Sequence, residues 1–220
     1  YRSDLVDPPI TDFKQFWDKK FDGMRGTYIT SNTLQMVFFL ASCQAFGKDA
    51  YDLEAGYQAM RDAMPAKISD FTGNMQTLVE RGEVQIGVQW EGECYLQMDK
   101  GIPVDNFIWQ HQKPLLTQTH TVSKYSDPVQ KKLALAYVNE KLDPKFMNKA
   151  GETFYLRPTI KNAELPELLT SKGVKNDANA LDGLHTPDWN FYLENEDDQI
   201  DIMPTWDFYA DWLDNYLVIV

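Results

Sequence analysis

Trp90, Glu91 and Glu93 are the tightest grouping of side chains in this sequence that could do chemistry. Trp90 closes the strongest strand signal, residues 84–90, in which Val84, Ile86, Val88 and Trp90 alternate with Gln85, Gly87 and Gln89. Ligands of open α/β sheets sit outside the carboxyl ends of strands. An indole face there can pack on a methylene chain or attract a cation; the same residue also suits a core. Glu91 and Glu93 could pair with a ligand ammonium, or be acids favoured by the dipole at a solvated helix start. Ser31, Asn32 and Thr33 stand at another strand-to-helix junction and offer hydroxyl and amide groups, either to a ligand or as a helix cap. Arg157 could pair with a ligand carboxylate or with an internal acid.

Other chemistries find little support. Neither standard glycine-rich phosphate loop occurs, nor a G-x-S-x-G elbow. The three histidines, His111, His120 and His185, lack metal spacing and read as structural or surface residues. No Cys–His pair suggests a nucleophile. The acidic run 194–198 lacks the spaced ligands and central glycine of a calcium loop and reads as a solvated turn. No metal and no cofactor is expected, and the chain reads as a non-enzyme.

The elements that must position these residues alternate along the chain. Thr11 is an N-cap candidate for a helix over 12–21 that puts Phe13, Phe16 and Trp17 on one face. Strands follow at 27–30 and 67–71, and helices at 34–46, 51–64 and 75–81. After the strand 84–90 come a helix over 91–98 and strands at 107–110 and 117–122. Asp127, with Pro128 at the first helical position, starts a helix over 129–142; Asp143-Pro144 starts the next. Residues 153–158 read as irregular and aromatic, 165–171 as a short helix, 172–190 as loop. A helix over 206–217 carries Trp206, Tyr209, Leu213 and Tyr216. Strands alternating with helices indicate the α/β class.

Composition sets outer bounds. The 220 residues suffice for one large domain or two small ones, and 43% hydrophobic content argues against disorder. A net charge of −12 repels phosphate backbones and anionic lipid, so nucleic acid is not an expected partner. No apolar run is long enough to span a bilayer; the longest candidate, 36–41, lies inside a mixed helix. No leader peptide is evident, and Tyr1 opens what reads as mid-domain sequence. Cys43 and Cys94 sit among apolar neighbours and read as two buried free thiols.

The order of several segments resembles the type II periplasmic solute-binding proteins of ABC transporters, on the spermidine/putrescine-binding side. Residues 9–18 (PITDFKQFWD) resemble that family's P-x-S-W-x-D-L-W helix, and 21–26 (FDGMRG) the turn after it. Residues 79–90 (VERGEVQIGVQW) resemble its l-x-x-G-E-V-x-i-g-x-x-W strand, and 142–146 (LDPKF) its L-x-P-e helix start. The likeness runs through the chain to Pro187-Asp188 and the closing aromatic helix.

The resemblance implies a solute held between two α/β lobes and handed to an ABC permease, in the periplasm or outside the cell. It implies that the chain starts where the second lobe usually begins, with most of the first lobe missing. Residues 1–113 would form the second-lobe core, 114–155 a segment returning to the first lobe, and 156–220 the completion of the second. The return segment would expose Leu133, Leu135, Ala136 and Val138, so that a homo-oligomer or domain exchange is a further expectation. Trp90 matches the family's cleft tryptophan, 31–33 a ligand-contacting turn, and Tyr155 an aromatic near the second crossing. Where polyamine sites use acids, this chain has Thr117-Gln118 and, at 31–35, Asn32, Thr33 and Gln35. Such groups suit a more neutral, zwitterionic or anionic solute, so the small polar solute is polyamine-like, amino-acid-like or a small organic ion. The alternatives are a transferase-like enzyme of the same scaffold, with Glu91 as its acid–base group, and a sensing or interaction module without transport.

Overall fold

The computed structural model describes residues 1–29, 31–49, 52–107, 120–158, 160, 162–172 and 174, and the strand pair Lys113–Pro114 and Leu184–His185. A three-stranded parallel sheet forms its centre. Strand β1 (Arg25–Tyr28) lies in the middle, with β2 (Ala66–Ser69) on one side and β3 (Ile86–Gly87) on the other. The register pairs Arg25 with both Ala66 and Ile86. Helices α1 (Thr33–Phe46) and α2 (Leu53–Asp62) connect β1 to β2, and α3 (Thr72–Glu80) connects β2 to β3. After β3 comes α4 (Glu91–Asp99). Further on lie β4 (Lys113–Pro114), α5 (Pro128–Lys141), α6 (Pro144–Phe154), α7 (Glu167–Ser171) and β5 (Leu184–His185), with β4 and β5 paired in parallel. Helices on a parallel sheet give the α/β class expected from the sequence.

Alternation along β1 divides the core in two. Thr27 and Arg25 face α1, α2 and the N-terminal segment, where Phe16, Phe21, Phe38, Phe39, Tyr57 and Met60 pack together. Gly26 and Tyr28 face the other way, toward Met75, Val79, Val84 and Cys94. A Cβ on Gly26 would come within 2.5 Å of the Met75 sulfur, so α3 sits directly on the strand. Both thiols, Cys43 and Cys94, are free and buried, as the apolar neighbours suggested.

The helix expected over 12–21 is instead two 3-10 turns, Phe13–Trp17 and Lys19–Phe21. Asp12, not Thr11, is the cap: its carboxylate takes the Lys14 N–H at 2.7 Å, and the Gln15 amide oxygen accepts from the Asp12 N–H at 2.8 Å. The carbonyls an α-helix would need are claimed from outside. The buried Arg25 guanidinium donates to Phe16 O at 2.6 Å and Asp18 O at 2.7 Å, and pairs with the Asp22 carboxylate at 2.7 Å.

Other limits move by smaller steps. Of the strand expected over 84–90, only Ile86–Gly87 is regular, because β1 offers four residues to pair with; Val88 adds one bond to Gly26 O. Helix α3 starts at Thr72, earlier than expected, and α6 runs on to Phe154 before Tyr155 turns left-handed at φ 51. Of the strands expected at 107–110 and 117–122, residues 107 and 120–122 are not strand; the rest of them and the helix over 206–217 lie outside the described residues.

Helix α5 begins as the sequence indicates: Asp127 closes a capping box with Gln130, and Pro128 takes the first helical position. None of its residues is buried. Val129, Leu133 and Tyr137, each four residues apart, are 68%, 66% and 59% exposed, an apolar stripe on this helix. Leu135 and Ala136 are exposed as expected, and Val138 is half-buried. Among the described residues no helix is long and apolar enough to cross a membrane.

Candidate functional site

Because β1, β2 and β3 are parallel, their carboxyl ends lie on one edge, and each leads there into a helix. Tyr28 ends β1 ahead of α1, Ser69 ends β2 ahead of α3, and Gly87 ends β3 just before α4. Three helix N-termini therefore meet at the edge where open α/β sheets hold their ligands.

The turn 31–33 divides its work. Asn32 is the cap of α1, its Oδ1 accepting the Leu34 N–H at 2.9 Å. Ser31 and Thr33 are exposed. Gln35 points inward: it is 1% exposed, and its Oε1 accepts the Tyr28 N–H at 2.9 Å and the Thr27 hydroxyl. That amide is held by the strand, so it is spent on the fold.

Trp90 is the N-cap residue of α4 and makes no side-chain cap bond. The indole is half-buried, resting on the cluster of Tyr28, Leu34, Met75, Val79 and Cys94. The core contact weighed for this residue is therefore present, with the residue only half-buried.

Glu91 and Arg157 are brought together. Arg157 Nε donates to Glu91 Oε2 at 2.9 Å, and Nη2 donates to Oε1 at 2.7 Å, a two-pronged pair with both side chains about a quarter exposed (25% each). The Tyr95 hydroxyl donates a third bond to Glu91 Oε1 at 3.1 Å. Of the two partners open to Arg157 from sequence, the internal acid is the one engaged. Tyr155 lies behind this pair, 9% exposed, its ring 6.1 Å from that of Tyr95. Burial, and then the neighbouring Asp99 carboxylate, push its phenol pKa up.

Glu93 occupies the third position of α4 and takes the other route, inward. The Thr72 hydroxyl, the Trp90 backbone N–H and the Gln76 side chain, all neutral, are near enough to its carboxylate to pull its pKa down. Burial outweighs them and raises its pKa. Its Oε2 is buried with no hydrogen-bond partner among the described residues, and the same holds for the Tyr28 hydroxyl. Tyr28, Thr72 and Gln76 did not stand out in the sequence, where Tyr28 was marked only as part of the strand expected at 27–30.

Thr117 and Gln118 lie outside the described residues. Among the described residues no cluster of His, Cys, Asp and Glu could hold a metal ion.

No protein-family model matches the chain. Two curated relatives are the spermidine/putrescine-binding periplasmic proteins of Escherichia coli (strain K12), 23% identical over 186 residues, and of Salmonella typhimurium (strain LT2), 23% identical over 184. Each alignment covers 81% of this chain and 52% of the relative, so the chain spans about half the length of the curated relatives it matches. Among solved structures, an ABC transporter protein from Clostridium perfringens superposes with a TM-score of 0.67 at 15% identity, over 95% of this chain and 63% of that one. An extracellular solute-binding protein from Bordetella parapertussis gives 0.59 at 16% identity, over 93% and 64%.

The resemblance drawn from the sequence is borne out: the chain is related in sequence to periplasmic spermidine/putrescine-binding proteins and has the fold of extracellular solute-binding proteins. The periplasmic or extracellular setting expected for it agrees with the names of those relatives.

Proposed function

We propose that the chain is part of an extracytoplasmic solute-binding protein that captures a small polar solute and hands it to an ABC permease, without transforming it. The observation that carries this is Trp90: a half-buried indole at the carboxyl edge of a parallel sheet, leading into a helix that lacks a side-chain cap, on a solute-binding-protein fold. A half-buried aromatic at such an edge can serve as a platform for an alkyl chain or a cation.

The solute is polyamine-like, amino-acid-like or a small organic ion. The relatives' names favour a polyamine. Asn32, Thr33 and Gln35 weigh against a strongly dicationic ligand, since none is an acid and Gln35 is committed to β1. Glu91, the group an enzyme of this scaffold would use for proton transfer, is held by Arg157 and Tyr95. That pairing favours capture over catalysis.

The test is a thermal-shift panel on the full chain with polyamines, amino acids and small organic acids. Stabilisation by one class, with the others silent, is the expected result. No shift with any of them, together with turnover of a test substrate that is lost in Glu91→Gln, would replace capture with catalysis.

A further inference from the structure

We propose that the exposed face of α5 and α6 is the docking surface for residues 188–217 of this same chain, an acidic and aromatic segment that lies outside the described residues. This docking is independent of the solute held at the sheet edge.

The face is apolar and basic at once. Of the twelve large apolar side chains that stand exposed among the described residues, nine fall between Tyr125 and Leu156, so the uncovered apolar surface is concentrated here. On α5 it is the stripe of Val129, Leu133 and Tyr137; on α6 it includes Phe146 and Phe154. Lys141, one turn beyond Tyr137, joins the two helices into one surface. Its Nζ lies 5.0 Å from the centre of the Tyr137 ring and 5.1 Å from that of Phe146. Residues 124–149 carry six lysines and three acids, in a chain of net charge −12. Among the described residues Lys149 pairs with Glu152 at 3.3 Å, whereas Lys131, Lys132, Lys141 and Lys145 form no ion pair.

Charge and period select the occupant. Residues 176–220 hold eleven acids and no lysine or arginine, so they account for nearly all of the net charge. Within them, Trp206, Tyr209, Leu213 and Tyr216 share one side at helical spacing. The acidic run 194–198 and Asp201 lead into that stretch and supply the charge that the lysines of α5 and α6 lack. At helical rise the stripe 206–216 would run about 15 Å and the stripe 129–137 about 12 Å, so the two match in length. A second copy of α5 and α6 would instead set lysine against lysine. The chain between His185 and Trp206 reaches up to about 70 Å when extended, so the face is within its range.

Hydrogen exchange read by mass spectrometry on the full chain tests the contact. In the wild type the amides of 206–217 should be protected, and Leu133→Asp should speed their exchange about tenfold or more while β1 stays protected. Tyr209→Ser should reciprocally speed exchange in 129–141. Lys131→Glu combined with Lys132→Glu should loosen 206–217 as well, and adding Glu194→Lys with Glu196→Lys should restore its protection. Should Leu133→Asp also unprotect β1, the charge-reversal set decides, since it leaves both apolar stripes intact.

Exchange in 206–217 that is unprotected in the wild type, or unmoved by Leu133→Asp, overturns the docking. So does failure of the second charge reversal to restore protection. Protection that fades on dilution, together with a change from dimer to monomer mass, would assign the face to the segment of a second copy and overturn the contact within one chain.

Discussion

The guanidinium of Arg157 grips the Glu91 carboxylate with two hydrogen bonds, 2.9 Å and 2.7 Å, across 66 residues of chain. The pair joins the start of α4, at the sheet edge, to the segment that follows α6. It also engages the Glu91 carboxylate, the acid next to Trp90 in the chain.

The first prediction concerns that pair. Arg157→Met and Glu91→Gln should each destabilise the fold, and the double variant should cost less than the sum. A double-mutant cycle by urea unfolding should give a coupling of about 1–2 kcal/mol, as for a partly buried two-pronged pair. Additive effects would mean that the contact does not hold in solution.

Gly92 lies where the two segments touch. A Cβ there would come within 2.6 Å of the Phe154 carbonyl oxygen and 3.3 Å of that of Tyr155, both backbone atoms. Gly92→Ala should cost on the order of 1–3 kcal/mol despite its better helix propensity. A stability equal to or above the wild type would show that α4 and α6 separate freely.

Glu93 ties stability to pH. Its folded pKa is raised above the ordinary 4.5, so it holds its proton more tightly folded than unfolded. Its contribution is fully present below the unfolded value and is lost as pH rises through the folded one. Glu93→Gln removes that loss. The variant should melt above the wild type near neutral pH, and the gap should close once the pH falls below about 4.5. A gap that stays constant with pH would remove the titration of Glu93 as its cause.

The two thiols give a test of burial. Burial raises Cys43 to about 12 and Cys94 to about 11. Since the thiolate is the reactive form, both should resist a thiol-reactive dye in the native protein at about pH 8, and both should react on unfolding. Rapid native labelling of either would contradict the packing of that core cluster.

The fold class was legible because period and punctuation agree over much of the chain. Asp127, Pro128 and Asp143 start helices as their chemistry dictates, and Asn32 caps α1. The first helix was misread because its fate depends on Arg25, a residue from β1 that takes carbonyls of 16 and 18. Local pattern cannot reveal a tertiary competitor of that kind. The site was legible to the same depth. Trp90 follows from the alternation of the strand before it, whereas the partner of Arg157 depends on how α4 meets the end of α6. Tyr28 is an ordinary strand residue in sequence, and only its hydroxyl, unpartnered among the described residues, makes it notable.

Trp90 carries the account, so the most direct measurement is a calorimetric titration of the wild type and Trp90→Ala with the solute that stabilises the chain in the thermal-shift panel. Loss of an indole platform worth about 2 kcal/mol predicts a binding constant weaker by roughly thirtyfold in a variant that still unfolds cooperatively. Unchanged affinity in Trp90→Ala would place the solute elsewhere and contradict the account.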